Sequence, residues 1–123
     1  MSSRHAITEI GRKDDGVLYE AAGLPELREG DELPADLRAF YETCGGLGLL
    51  KIRMLVVPPS RFAPLGATSR YLLAEKTSSP SSEQIVIDLG PENRGCCYAG
   101  TIWVARSFTS FLVRLARDEI VWS

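Results

Sequence analysis

The chain has 123 residues, 45% of them hydrophobic and 24% charged, the profile of one compact domain that buries roughly two-thirds of its unfolded surface. A net charge of -2 and a pI near 5.4 lack the basic excess with which nucleic-acid binders neutralise phosphates. No apolar run approaches the ~20 residues needed to cross a bilayer, and Met1 to Ile10, with His5 and Glu9, is not the apolar stretch of a secretory signal.

Residues 1–30 give no firm element. Ile7 and Ile10 sit at helical spacing, and Asp15-Gly16 is a turn signal leading into Val17-Leu18-Tyr19, so a short helix or strand on either side stays open. The first firm element is a helix from Pro34 to Cys44. Leu37, Phe40, Tyr41 and Cys44 recur at i, i+3, i+4 and i+7, which is one helix face. Pro34 suits the first helical position, where its missing N–H costs nothing. Asp36 falls in the first turn, near the positive end of the dipole. Gly45-Gly46 should stop the helix, because glycine takes the left-handed conformation without a Cβ clash.

Strand-like runs follow. Lys51 to Val57 alternates and then turns wholly apolar, Tyr71 to Ala74 is a second candidate, and Gln84 to Leu89 is the strongest. Ser78 to Ser82 reads as a loop joining two of these strands in a hairpin. Gly90 to Gly95 turns into Cys96 to Ala99, a further hairpin partner, and Thr101 to Val104 adds a short edge. Ser107 is a good N-cap for a closing helix, in which Phe108, Phe111, Leu112 and Leu115 again fall at i, i+3, i+4 and i+7. Arg114 and Arg117 lie towards its C-terminal end, where cations are favoured. Helix, strand meander and helix together predict an α+β fold, with helices packed on a single antiparallel sheet.

The chemistry-bearing residues are sparse. Three cysteines, Cys44, Cys96 and Cys97, have no C-x-x-C spacing and point neither to a disulfide scaffold nor to zinc. In a strand, adjacent Cys96 and Cys97 face opposite ways, one packed as a small hydrophobe and the other half exposed; a redox pair is the weaker alternative. Free thiols indicate the cytoplasm. The single histidine, His5, has no partner motif for nucleophilic catalysis, and no metal site or cofactor is expected. Gly45-Gly46-Leu47-Gly48 follows a helix and reads as a cap and tight turn, not a phosphate cradle. Trp103, flanked by Ile102 and Val104, reads as core, while Trp122 stays open.

Charge is unevenly spread. Residues 1–45 hold ten acids against five bases, a net -5, whereas residues 46–123 hold nine bases against six acids, a net +3. Two solvated faces would explain this; an acidic patch that steers a basic protein partner is the sharper alternative. Asp14-Asp15 and Asp31-Glu32 are read as solvated surface pairs, since general acids need burial to raise their pKa.

Leu33-Pro34-Ala35-Asp36-Leu37-Arg38-Ala39-Phe40-Tyr41 followed by Gly45-Gly46-Leu47 resembles the opening motif of the SUKH superfamily. That superfamily includes the fungal cell-wall assembly regulators, the bacterial Syd protein and many bacterial immunity proteins. Ile85 to Leu89 resembles its central strand, and Val104-Ala105-Arg106-Ser107-Phe108-Thr109-Ser110-Phe111-Leu112 resembles its closing helix. The likeness runs over residues 33–117 in the same order. Cys44 stands where the family often has Asn, and Gly23, Pro25 and Gly30 interrupt a first helix that is longer in many members.

The resemblance implies a SUKH-like domain over residues 1–123, without enzymatic activity. It also implies a protein partner, a toxin (often a nuclease) that the domain binds and blocks, with no direct nucleic-acid contact and no membrane insertion. A regulatory or scaffold protein of the same fold, or a small enzyme or ligand binder, are the competing readings. If the acidic half meets a basic toxin, Glu29, Asp31, Glu32 and Glu42 are the candidate contacts, because they flank or ride on the 34–44 helix. Asp36 is a weaker candidate, since its place in the first turn already explains it.

Overall fold

The computed structural model describes residues 17–49, 53–76 and 84–116. Seven strands form one antiparallel meander in sequence order: β1 (Val17–Leu18), β2 (Leu47–Leu49), β3 (Met54–Val56), β4 (Arg70–Lys76), β5 (Gln84–Asp88), β6 (Cys97–Ala99) and β7 (Ile102–Ala105). Helix α1 (Ala35–Thr43) lies between β1 and β2, and α2 (Phe108–Ala116) follows β7. The predicted α+β architecture is the one observed. Readings that involve His5, Ile7, Ile10, Asp14, Asp15, Gly16, Lys51, Ile52, Ser78 to Ser82, Arg117 and Trp122 fall outside the described residues.

Both helices bury the faces their spacing predicts. Leu37, Phe40 and Tyr41 on α1, and Phe108, Phe111, Leu112 and Leu115 on α2, belong to one continuous core. The Phe40 and Phe108 rings meet edge-on with centroids 5.0 Å apart. Sheet residues complete this core in rows set by the register. Val56, Ala74, Ile85 and Ala99 pair across four strands, as do Tyr71, Ile87, Cys97 and Ala105, and all eight are buried.

The helix starts are joined to each other. The N–H groups of Thr109 and Ser110 sit in the first turn of α2, where no partner exists within the helix itself. Ser107 Oγ accepts the Ser110 N–H at 3.0 Å, as an N-cap should. The Thr109 N–H instead reaches across to Asp36 Oδ2 at 2.9 Å, and the Thr109 hydroxyl donates to the same oxygen at 3.0 Å. Asp36 Oδ1 accepts the N–H of Leu37 at 2.9 Å. One carboxylate thus serves the first turn of both helices.

Four local expectations are corrected. Pro34 is the N-cap of α1, with an extended ψ of 148°, and its carbonyl accepts the Arg38 N–H at 2.9 Å, so the helix begins one residue later than expected. Gly45-Gly46 serves close backbone approach. A Cβ on Gly45 would collide with the Glu20 carbonyl oxygen, and one on Gly46 (φ 141°) would lie 2.9 Å from the Val56 carbonyl oxygen. The predicted tight turn at Leu47-Gly48 is strand β2, and the chain reverses instead before Met54, where Arg53 takes a left-handed φ of 53°. Trp103 is not core.

The physical reason for that last difference is a bulge. Pairing steps from Cys97↔Ala105 to Tyr98↔Trp103, leaving Val104 as an extra residue in β7. Val104 and Ala105 are therefore both buried, while Trp103 turns to the sheet face opposite the helices, 49% exposed. The Arg114 guanidinium lies 5.4 Å from its ring centroid.

The cysteines behave as predicted: Cys97 is buried in the core and Cys96, next to it, is half-buried. Burial pushes the Cys97 thiol far up, with the nearby Asp36 charge adding to the effect, and burial raises Cys44 as well. Thiolate is the reactive form, so both should be inert in the folded protein. Titration with a chromogenic disulfide reagent at pH 8 should label Cys96 alone, with Cys44 and Cys97 reacting only after denaturation. Truncating Phe40 or Phe111 to Ala should cost about 3–5 kcal/mol in denaturant melts; less than about 1 kcal/mol for both would contradict this core.

Candidate partner-binding surface

Between β1 and α1 the chain runs from Tyr19 to Pro34 without helix or strand. This strap is pinned at both ends. At the first end the Tyr19 N–H donates to the Gly46 carbonyl at 3.2 Å, and the Gly45 N–H donates to the Tyr19 carbonyl at 2.9 Å. The Tyr19 ring lies over Gly48, where a Cβ would come within 3.3 Å of its hydroxyl. Glycine at 45 and 48 is what admits the strap to the sheet, while Gly46 makes room for the Val56 carbonyl of β3.

At the second end, Tyr71 of β4 gathers two groups of the strap. Its hydroxyl accepts the Arg28 N–H at 2.8 Å and donates to Asp31 Oδ2 at 2.7 Å. Asp31 Oδ1 accepts from the Ser69 hydroxyl at 2.9 Å, and the Arg28 guanidinium donates to the Gly66 carbonyl. Burial raises the Tyr71 phenol above its ordinary pKa, the Arg28 N–H opposes this, and Asp31 adds to it. Leu27 and Leu33 pack against the core on either side of these bonds.

These contacts sort the acidic candidates. Asp31 is half-buried and bonded to Tyr71 and Ser69, and Asp36 is half-buried and bonded to Thr109. Glu29, Glu32 and Glu42 are exposed. Glu32 lies 3.3 Å from Arg94, and Glu42 lies 3.9 Å from Arg38 one helical turn away. Exposed pairs of this kind contribute about 0–1 kcal/mol and leave both groups open to a new partner.

Two features were not visible in the sequence. One is a shallow groove of about 480 Å³ between the strap (Ala22, Leu24 to Glu26) and the loop after β3 (Pro59, Ser60, Phe62 to Pro64). Its walls are about forty residues apart in the chain, so no local pattern joins them. The other is the outer sheet row Leu72, Val86, Tyr98 and Trp103, in register across β4 to β7, with the Arg70 guanidinium 4.2 Å from the Tyr98 ring centroid.

A polar recess of about 370 Å³ lies beside Arg70 and Asp88. These two lie 3.8 Å apart, and Asp88 Oδ1 also accepts the Gly90 N–H at 2.8 Å, so this pair is engaged within the fold, while Glu92 lines the recess from an exposed position. Among the described residues no group of three or more His, Cys, Asp or Glu side chains could hold a metal ion, and no helix is long and apolar enough to cross a membrane.

Replacing Asp31 with Ala removes two side-chain bonds to a carboxylate, a loss of about 1–3 kcal/mol. The strap should loosen before the core does. Hydrogen exchange should accelerate at the Arg28 amide while the amides of Ile85 and Ile87 keep their protection; uniform acceleration would show that Asp31 supports the whole fold instead.

No protein-family model matches the chain, and no solved structure matches it. A curated relative does. The chain is 30% identical over 141 aligned residues to the immunity protein YokJ of Bacillus subtilis (strain 168), an alignment that covers 97% of this chain and 86% of that protein. At that identity and coverage the chain belongs to the immunity-protein family of YokJ.

Proposed function

We propose that this chain is a cytoplasmic immunity protein, a single SUKH-like domain over residues 1–123, that neutralises a cognate toxin by binding and occluding it without chemistry of its own. The observation that carries the reading is the near end-to-end match to an immunity protein. The residue order that resembles the SUKH motifs supports the fold assignment, because Asp36 and the Gly45-Gly46 pair hold structural positions in the observed fold.

The acidic surface supplies the contact. Glu29, Glu32 and Glu42 stand exposed, while Asp31 and Asp36 hold the strap and α1 that present them. A nuclease toxin suits this charge, since its phosphate-binding surface is basic and opposed potentials speed encounter and exclude wrong partners.

The test is stopped-flow association of the purified chain with its toxin domain. Charge reversal at Glu29, Glu32 and Glu42 together should slow association about tenfold or more at low salt. The difference should shrink as salt shortens the field to about 8 Å at physiological strength. Equal rates at low salt would remove these three residues from the mechanism. Loss of toxin protection in cells that express the folded wild-type chain would remove the function itself.

A further inference from the structure

We propose that the groove between the strap and the loop after β3 is the anchor site for an apolar side chain of the partner, flanked in that partner by lysine or arginine. This rests on the toxin-binding reading and gives it a place on the molecule.

Both walls of the groove are fixed before anything binds. The strap wall, Leu24 and Pro25, hangs between the Tyr19 and Arg28 pins. The loop wall is tied to β4 on both sides: the Val57 N–H donates to the Leu73 carbonyl at 2.9 Å, the Leu72 N–H to the Ala63 carbonyl at 3.0 Å, and the Leu65 N–H to the Arg70 carbonyl at 2.8 Å. Arg61 reinforces it through a 2.7 Å ion pair with Glu75, whose side chain is 6% exposed. Phe62 is stacked on Tyr71 with ring centroids 5.1 Å apart and an interplanar angle of 18°, so it is held in place too. Proline at 25, 59 and 64 removes further backbone freedom. A preformed groove loses little entropy on binding.

The lining selects the occupant. The groove is shallow, and its lining side chains are alanine, leucine, proline and phenylalanine apart from Ser60 and one charged residue, Glu26, so it offers contact to an apolar side chain with a carboxylate beside it for a cation. Leu24 stays 45% exposed beside it. The nearby charge is negative: Glu26 lines the groove, and the strap carries Glu20 and Glu29, both exposed, against Arg28. The strap and loop arginines are already engaged, Arg28 with the Gly66 carbonyl and Arg61 with Glu75. An anchor side chain held in a pocket and screened from water by its surroundings is the usual build of a binding hot spot, and rim charges there steer the encounter.

Three capped peptides test this on the intact 123-residue chain by amide chemical-shift titration: Lys-Lys-Leu-Lys-Lys, the same peptide with Gln for Leu, and Glu-Glu-Leu-Glu-Glu. The first should shift Ala22, Leu24 and Ala63, and the other two should bind at least fivefold more weakly. Ala63→Trp, which fills the groove from an exposed position, and Glu26→Lys should each weaken the first peptide at least fivefold, with unchanged melting temperatures confirming folded variants. Shifts that cluster at Glu42 on α1, equal binding of the Gln peptide, or no shifts at all would overturn the groove assignment. A chain that binds its toxin yet gives one of those results loses the groove alone; a chain that binds the peptide yet no toxin keeps the groove and loses the proposed function.

Discussion

The presented surface depends on one phenol. Tyr71 sits on β4, fully buried, and its ring supports Phe62 while its hydroxyl holds Arg28 and Asp31. A phenol has one proton to give and lone pairs to accept with, and here it does both with the same segment. The strap is thereby referenced to the centre of the sheet, and so is the loop that faces it. Because packed interiors yield little, the groove between them inherits the rigidity of β4.

Asp36 plays the matching part for the helices. Its carboxylate bonds the first turn of α2 from the first turn of α1, and negative charge there is also favoured by the helix dipole. The ten acids of residues 1–45 therefore do not form one class. Asp31 and Asp36 spend their hydrogen-bonding capacity inside the fold, whereas Glu29, Glu32 and Glu42 keep theirs at the surface. The longer glutamate chains reach solvent and the shorter aspartates reach backbone and hydroxyl donors, as short side chains near helix starts and turns commonly do.

Much of the fold was legible because its signals are local. Leu37, Phe40 and Tyr41, or Phe108, Phe111 and Leu112, announce a buried helix face by spacing alone, and Ile85-Val86-Ile87 announces a strand by branching. Misreadings came where one residue's neighbours were not its sequence neighbours. Gly45-Gly46-Leu47-Gly48 looks like a cap and turn because of its glycines, yet Gly48 lies in β2 and is there to admit the Tyr19 ring. Trp103 looks like core because Ile102 and Val104 flank it, and a single extra residue reverses the side to which it points. The candidate site was legible only as charge. Which acids face outward depends on Tyr71, Ser69 and Thr109, partners 38 to 73 residues away, and no local pattern encodes such distances.

The sheet edges bear on how recognition must work. Edge strands invite pairing with a foreign strand unless they are short, bulged or covered. Here β1 has two residues, and β7 has four with a bulge at Val104 and Arg114 placed over Trp103. Neither described edge offers a long flat row of backbone donors and acceptors. On the proposed toxin-binding reading, affinity comes from side chains, and side chains bind more tightly when their positions are set in advance. The bonds that Tyr71, Asp31, Gly45 and Gly46 make with or within the strap do that setting. On the proposed reading, stability of the strap and strength of binding are coupled through the same few contacts, so a substitution at Asp31 would reach the partner without touching it.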